Sequence, residues 1–202
     1  GAPFDAPPPP LGPERLFAGQ WCAGRRQGHG RAIYEHGEYE GGWLDNARHG
    51  QGAVVQDGFQ LEGPWADDRP VEGAACTISY PSGAKYHGAV RHLPRPGAGA
   101  VRSPESPGAG AGLEAGSWWV VPHGEGLMKQ PDGQVYDGQH RDGTPCGRGM
   151  VIGADRSQFE GAFDQGRRHG DGLLTLPGSP TPRRVVYERG ELLTDPQAAA
   201  AL

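Results

Sequence analysis

The sequence has few of the residues that build a covalent framework or a membrane-spanning segment. Its three cysteines, Cys22, Cys76 and Cys146, lie far apart and show no C-x-x-C spacing. A sparse, odd set is typical of a reducing compartment and does not indicate a disulfide scaffold. We expect these thiols to be unreactive and partly buried. No stretch approaches the roughly 18–20 apolar residues that a spanning helix requires.

The sequence also lacks an excess of positive charge. Nineteen Lys and Arg residues face 24 Asp and Glu residues, which gives a net charge of −5. Binding to nucleic acid depends on Lys and Arg that neutralise phosphates, so a nucleic-acid partner is not expected. The same balance argues against membrane lipid binding that depends on electrostatic attraction to anionic headgroups.

Motifs for catalysis and for metal or cofactor binding are missing as well. The sequence contains no G-x-x-x-x-G-K-[ST] phosphate loop and no G-x-S-x-G elbow. His49, His123 and His169 share one position of a repeat, but strand spacing would place them about 19 Å apart, too far to share a metal ion. We expect these histidines to hydrogen-bond the backbone of turns. The sequence predicts no enzyme, no cofactor and no metal site.

Glycine and proline are abundant, with 36 and 20 residues, and the glycines recur with a period of about 22 or 23 residues. Such a period indicates a repeat architecture rather than disorder. Of the 16 aromatic residues, ten fall on two positions of the repeat. These ten are Phe17, Trp21, Tyr39, Trp43, Trp65, Tyr86, Tyr136, Phe159, Phe163 and Tyr187.

The repeat Y-x-G-x-W-x-x-G-x-x-H-G-x-G resembles the membrane occupation and recognition nexus (MORN) repeat. The best copies are YEGGWLDNARHGQG at residues 39–52 and FEGAFDQGRRHGDG at residues 159–172. The third copy lacks the H-G-x-G half, and Cys146 replaces the histidine of the fifth. The resemblance covers most of residues 15–192 and implies six or seven consecutive β-hairpins.

Alternation along a strand places Tyr39, Gly41 and Trp43 on one face, where the glycine leaves room for neighbouring rings. Asp57-Gly58, Ser82-Gly83 and Asp132-Gly133 are tight-turn signals before the next repeat. We therefore predict an all-β fold: an elongated, solenoid-like, single antiparallel sheet of consecutive hairpins, held together by ladders of aromatic rings.

The predicted domain organisation has three parts. A Pro-rich arm at 1–14 precedes the repeat array at 15–192, and a tail follows at 193–202. The fourth repeat carries a flexible insert near 92–120, rich in Gly, Ala and Pro. Trp118 and Trp119 end this insert and are interpreted either as partly buried or as an exposed anchor for a partner.

The resemblance implies a non-catalytic protein–protein interaction scaffold, a subunit of a ciliary or flagellar axoneme (radial spoke-like) or of a cytoskeletal assembly. Cytoplasmic and axonemal localisation is expected, with protein partners in a multi-subunit assembly and dimers through the sheet edges as a further option. The alternatives are a phospholipid-tethering module and a regulatory module for a separate enzyme. The predicted partner-binding groove consists of Trp21, Trp43, Trp65, Tyr86, Tyr136, Phe163, Trp118 and Trp119.

Overall fold

The structure is a computed structural model and describes residues 10–94, 118–179 and 181–194. All regular elements in these ranges are strands, so they contain no helix able to cross a membrane. The strands are β1 (Glu14–Cys22), β2 (Arg25–Tyr34), β3 (Gly37–Leu44), β4 (Ala47–Gln56), β5 (Phe59–Ala66), β6 (Arg69–Pro70), β7 (Ala75–Ser79), β8 (Lys85–Pro94), β9 (Trp118–Lys129), β10 (Val135–Arg141), β11 (Thr144–Ile152), β12 (Gln158–Asp164), β13 (Arg167–Thr175), β14 (Arg183–Glu188) and β15 (Glu191–Thr194).

These strands form one open antiparallel sheet in which each strand pairs with the next along the chain. The short β6 is the exception, because it pairs with β5 while β5 goes on to pair with β7. The predicted all-β hairpin array is confirmed. The described residues group into two compact units: unit A comprises 10–76, 90–94 and 118–121, and unit B comprises 77–89, 122–179 and 181–194.

The predicted arm, insert and tail fall largely outside the described residues, which leave out 1–9, 95–117 and 195–202. The last residues of the arm pack on a turn of unit A, since the carbonyl oxygens of Leu11 and Pro13 accept hydrogen bonds from His36 and Glu35. Strand β8 runs to Pro94 and β9 starts at Trp118, so both ends of the predicted 92–120 insert are strand.

A row of glycines crosses each unit from strand to strand. Each glycine stands directly opposite the next one in the register, which brings neighbouring backbones together without side chains between them. The row is Gly19, Gly30, Gly41, Gly52 and Gly63 in unit A, and Gly126, Gly138, Gly149, Gly161 and Gly172 in unit B.

Two kinds of turn connect the strands. The second ring of a repeat is followed by a two-residue turn with both residues at positive φ, as at Asp45 (48°) and Asn46 (72°). This geometry matches the twist of antiparallel strands. The predicted turn at Asp57-Gly58 has the same form. At Ser82-Gly83 and Asp132-Gly133 the predicted turns are present but longer, and Gly83 and Gly133 donate to Tyr80 and Gln130.

Successive hairpins are joined by hydrogen bonds between each two-residue turn and the return strand of the previous hairpin. The amide of Asn46 donates to the Arg26 carbonyl oxygen, and Asn46 Oδ1 accepts from the Arg26 amide. Asp68 makes the same pair of bonds with Arg48. Each hairpin is thereby positioned by its predecessor along the chain.

Replacing Gly52 with alanine tests the glycine row. A Cβ on Gly52 would lie 2.6 Å from the Cε2 and Cζ atoms of Tyr39, so the ring must move. We expect Gly52→Ala to lower the free energy of unfolding by about 1–3 kcal/mol, measured by urea denaturation. Gly24→Asn is the matched control, because φ is +74° there, nothing lies within 4 Å, and asparagine accepts that φ. Equal destabilisation by the two variants would contradict the packing argument.

Candidate interaction surface

The aromatic residues of unit A form a continuous ladder on one face of the sheet. Phe17 contacts Trp21 and Trp43 edge-to-face at centroid distances of 5.3 and 5.1 Å, and Tyr39 contacts Trp43 and Trp65 at 5.4 and 5.2 Å. The first ring of each repeat therefore lies between two second rings, its own and that of the next repeat. Edge-to-face pairs at this distance contribute about 0.5–1.5 kcal/mol each beyond the area they bury.

Unit B has a ladder of the same design in which one aromatic residue is replaced by histidine. His140 occupies the second ring position and contacts Tyr86 and Tyr136 at 5.2 and 5.0 Å. Beyond it, Phe163 contacts Tyr136 at 4.9 Å and Phe159 at 5.6 Å, and Phe159 contacts Tyr187 at 5.2 Å. The predicted groove did not include His140.

The tyrosines of the first ring position have a polar role too. The hydroxyl of Tyr39 donates to the Gly42 carbonyl oxygen at 2.9 Å, and that of Tyr136 donates to the Gln139 carbonyl oxygen at 2.9 Å. Each bond closes over the strand that carries the ring. Burial raises the pKa of Tyr39 to about 12, and it also raises the pKa of Tyr136, so both hydroxyls remain protonated donors at neutral pH.

Arginines cover the ladder, and sequence reasoning missed this role. Arg26 lies 4.4 Å above the ring of Phe17 and 5.1 Å from Trp43, and Arg48 lies 5.6 Å from Tyr39 and 4.8 Å from Trp65. Cation–π attraction stabilises such placements by about 0.5–2 kcal/mol. Arg48 is 3% exposed and donates to the side chain and the carbonyl oxygen of Asp68.

Arg168 repeats this arrangement in unit B, 4.9 Å from Phe159 and 5.3 Å from Tyr187. A basic pair on a strand, such as Arg25-Arg26 or Arg167-Arg168, is usually expected to be solvated. That expectation holds for Arg25, which is exposed beside Asp45, and for exposed Arg167. It is wrong for Arg26 and Arg168, because strand alternation directs the second arginine of each pair towards the rings.

In the third repeat, both the first aromatic ring and the second glycine are replaced. Leu61 stands at the first ring position, and Cys76 takes the place of the glycine opposite Gly63. A Cβ on Gly63 would lie 2.5 Å from Cys76 Sγ. Burial raises the pKa of Cys76 to about 11, which leaves an inert thiol. Cys146 is half-buried, while Cys22 is exposed, contrary to the expectation of partial burial.

The three histidines of the H-G-x-G position do not behave alike. His123 Nδ1 accepts a hydrogen bond from the Asp142 amide at 3.3 Å, as expected for a residue that holds a turn. His49 Nδ1 is buried without a hydrogen-bond partner. The expectation is therefore confirmed for His123 and is wrong for the Nδ1 atom of His49. Within the described ranges, no cluster of His, Cys, Asp or Glu could hold a metal ion.

The predicted groove residues differ in how much of each ring reaches the surface. Trp21 is 56% exposed, and Trp119 is half-buried. The side chain of Trp118 lies outside the described residues. The other five are under 8% exposed, because each ring is enclosed by its neighbours and by glycine backbone: Trp43, Trp65, Tyr86, Tyr136 and Phe163.

Trp21 is exposed because of its place in the sheet. Trp43 and Trp65 each lie against the preceding repeat and donate their indole N–H to its backbone, to Gly30 at 3.1 Å and Gly52 at 2.9 Å. Trp21 belongs to the first hairpin, and β1 pairs with β2 on one side only in the described part of the chain. One face of the Trp21 indole is therefore open.

Consecutive hairpins pair with one another, and the first aromatic ring of most hairpins packs on the glycine row. These features define a β-hairpin repeat protein. The family model for the MORN repeat matches residues 17–37, 39–53, 136–158 and 159–178. These four stretches of the chain are MORN repeats. In a repeat that the family model does not match, β5 carries Leu61 and Trp65 and pairs with β4 in the same register, but its return strand is divided into β6 and β7.

Among curated proteins, the chain is 33% identical to alsin of Rattus norvegicus and 32% identical to alsin of Homo sapiens, each over 81 residues. These matches cover 26% of this chain and 5% of each alsin. The ALS2 C-terminal-like protein of Bos taurus is 30% identical over 101 residues, covering 35% of this chain and 11% of the relative. The chain thus spans a small fraction of the relatives it matches.

Trp43→Ala and Trp21→Ala form a matched pair that tests the ladder. Trp43 is 4% exposed between Phe17 and Tyr39, so its loss should cost about 3–5 kcal/mol of unfolding free energy. Trp21 has the same position in its hairpin but is half open, so its loss should cost under about 1.5 kcal/mol. Chemical denaturation followed by circular dichroism measures both values. An unchanged melting curve for Trp43→Ala would argue against the ladder.

His140 makes the stability of the chain depend on pH. Burial lowers the pKa of His140, while the unfolded chain binds the proton near its ordinary pKa of about 6.5. Above that pH the histidine is neutral in both states and contributes no dependence. As the pH falls below it, the unfolded state gains protons and the free energy of unfolding decreases.

We expect His140→Phe to remove this component, so that its melting temperature falls less than that of the wild type between pH 7.5 and 5.5. His92, whose pKa is also lowered by burial, is present in both proteins and cancels in the comparison. Identical pH profiles would show that His140 does not titrate as its burial implies.

Proposed function

We propose that this chain is a non-catalytic protein–protein interaction scaffold, a subunit of a ciliary or flagellar axonemal assembly of radial-spoke type or of a cytoskeletal assembly. MORN repeats are in general non-catalytic and serve as protein- or membrane-interaction modules. Apart from the turns, the residues that the structure describes form such hairpins from β1 to β15. A chain built in this way offers surfaces rather than a reaction centre.

The observation that carries the proposal is the exposure of Trp21. In the repeats that follow, the corresponding tryptophan is covered by a ring, an arginine and a backbone carbonyl from the preceding hairpin. Trp21 has the same orientation but lacks these contacts from a preceding hairpin. An exposed tryptophan at a sheet edge combines two features of binding surfaces, a large aromatic anchor and unpaired strand backbone.

The partner contacts in this proposal differ in kind along the predicted groove. Trp21 offers a ring face, whereas the enclosed residues, such as Trp43 and Phe163, fix the shape of the surface. The axonemal or cytoskeletal setting rests on the resemblance to MORN proteins of such assemblies. The cytoplasmic localisation and the multi-subunit partners follow from the same resemblance.

The first alternative is a phospholipid-tethering module. Exposed Arg25 and Arg167 favour it locally, but Arg25 pairs with Asp45 and the net charge is −5. The second alternative is a regulatory module for an enzyme. The short matches within the much longer alsins favour it, because they show related repeats as a small part of a larger chain.

Capture of partners tests the proposal. We expect the immobilised chain to retain axonemal or cytoskeletal subunits from a ciliary extract, identified by mass spectrometry, and Trp21→Ala to lose them because the anchor is gone. Leu44→Ala is the control, since Leu44 is an exposed apolar residue that alternates away from the ladder face. Retention by Trp21→Ala equal to that of the wild type would contradict the role of this edge.

A parallel experiment separates the alternatives. Flotation with vesicles containing phosphatidylserine should show no binding at physiological salt if the chain is a protein scaffold. Strong binding that high salt abolishes would favour the lipid module instead. Recovery of enzymes alone in the capture experiment would favour the regulatory module.

A further inference from the structure

We infer that a pocket between the fifth and sixth hairpins binds an arginine side chain of a protein partner. This inference rests on the proposed scaffold function and names a particular contact within it. The pocket has a volume of about 350 Å³ and lies on the ladder face of unit B. Its lining includes the rings of Tyr136, His140 and Phe163, together with Pro145.

Three other hairpins carry an arginine at the position equivalent to this pocket. Arg26, Arg48 and Arg168 each stand opposite the second ring of their hairpin in the register, facing Trp21, Trp43 and Phe163. Each guanidinium covers the first ring of its own hairpin and the second ring of the next, at 4.4–5.6 Å. A guanidinium is therefore the group that completes a pair of aromatic rings in this fold.

Proline replaces this arginine in the fifth hairpin. Pro145 stands opposite His140 in the register, where Arg48 stands opposite Trp43. The two rings that an arginine would cover here are both present: the ring centroids of Tyr136 and Phe163 are 4.9 Å apart, with an interplanar angle of 79°. Pro70 also replaces the arginine in the third hairpin, but there the first ring position is Leu61, which offers no π face.

The turn residue that bonds to the arginine also differs between the second and the fifth hairpin. Arg48 donates to the side chain and the carbonyl oxygen of Asp68 in the turn of the next hairpin. The corresponding turn residue after Pro145 is Gly166, whose amide donates to the Pro145 carbonyl oxygen. Both changes remove side-chain atoms from the same place, which leaves an open pocket over the two rings.

The ring walls of the pocket carry no positive charge. Burial lowers the pKa of His140, so this ring is neutral at neutral pH. Arg167 and Arg168 both line the pocket, and none of its lining residues is Asp or Glu. The incoming guanidinium would therefore be held by ring faces and neutral acceptors, as Arg168 is held over Phe159 and Tyr187, where it donates to the Tyr187 hydroxyl. The side-chain amides of Gln130, Gln134 and Gln165 line the rim and supply hydrogen-bond acceptors.

Titration with a short capped peptide that contains one arginine tests the inference. We expect millimolar peptide to shift the ring proton signals of Tyr136, His140 and Phe163 in NMR spectra of the full chain. The same peptide with citrulline, which is neutral and nearly isosteric, should bind about tenfold more weakly because it lacks the cation–π attraction. Absent shifts, or equal shifts with both peptides, would overturn the inference.

A pair of variants locates the site. Pro145→Arg combined with Gly166→Asp rebuilds the Arg48–Asp68 arrangement, fills the pocket from within and should abolish peptide binding. Pro145→Ala leaves the pocket open and should bind as the wild type does. Undiminished binding by the filled variant, with circular dichroism confirming its fold, would place the peptide elsewhere and refute the assignment.

These results are independent of the capture experiment. If the pocket binds no arginine but the chain still captures partners through Trp21, only this inference fails. If arginine binds but no partner is captured, the scaffold proposal fails while the pocket remains.

Discussion

The close approach of aromatic rings to a row of glycines is the constraint on which the structure depends. Each first ring lies flat over two glycines of its own hairpin, as Tyr39 does over Gly41 and Gly52. A side chain at either glycine would occupy the volume of the ring. Because the ring also contacts the next hairpin's tryptophan or phenylalanine, the same contact that closes a hairpin joins it to its neighbour. A single sheet without a second layer can bury aromatic side chains in this way.

The positions around the packed rings vary from hairpin to hairpin, provided that the backbone hydrogen bonds between neighbouring hairpins are kept. At Arg26 and Arg48 the next turn supplies an acceptor side chain, that of Asn46 and of Asp68, whereas at Arg168 the next turn has Gly190, whose amide donates to the Arg168 carbonyl oxygen. At Pro145, which has no amide hydrogen, the next turn also has a glycine, Gly166. The repeat therefore changes its surface by exchanging pairs of residues and keeps its backbone bonds. Such exchanges create the open pocket in unit B and the inert Cys76 in unit A.

Much of the candidate surface could be predicted, because the ring positions follow from the period of the sequence. Trp21, Trp43 and Trp65 were identified as one set, and the structure shows that they are equivalent in orientation. Their accessibility could not be predicted, since it depends on whether a preceding hairpin covers the indole. The arginines were missed for a related reason. A basic pair looks the same in the sequence whether its second member is solvated or lies over a ring, and the register of β2 against β1, which sets Arg26 opposite Trp21, distinguishes the two cases.

The sequence by itself determined the hairpin repeat, its glycine row and the turns such as Asp57-Gly58, because these depend on local rules of alternation and on the φ values that glycine permits. The tertiary structure decided which side chains are enclosed and which are available. It covered Trp43, left Trp21 open, placed Arg48 on the ladder and set Pro145 instead of an arginine beside Tyr136 and Phe163. The reason is that enclosure is a property of adjacent hairpins, and it requires atoms from residues some 20 positions apart to meet at one ring.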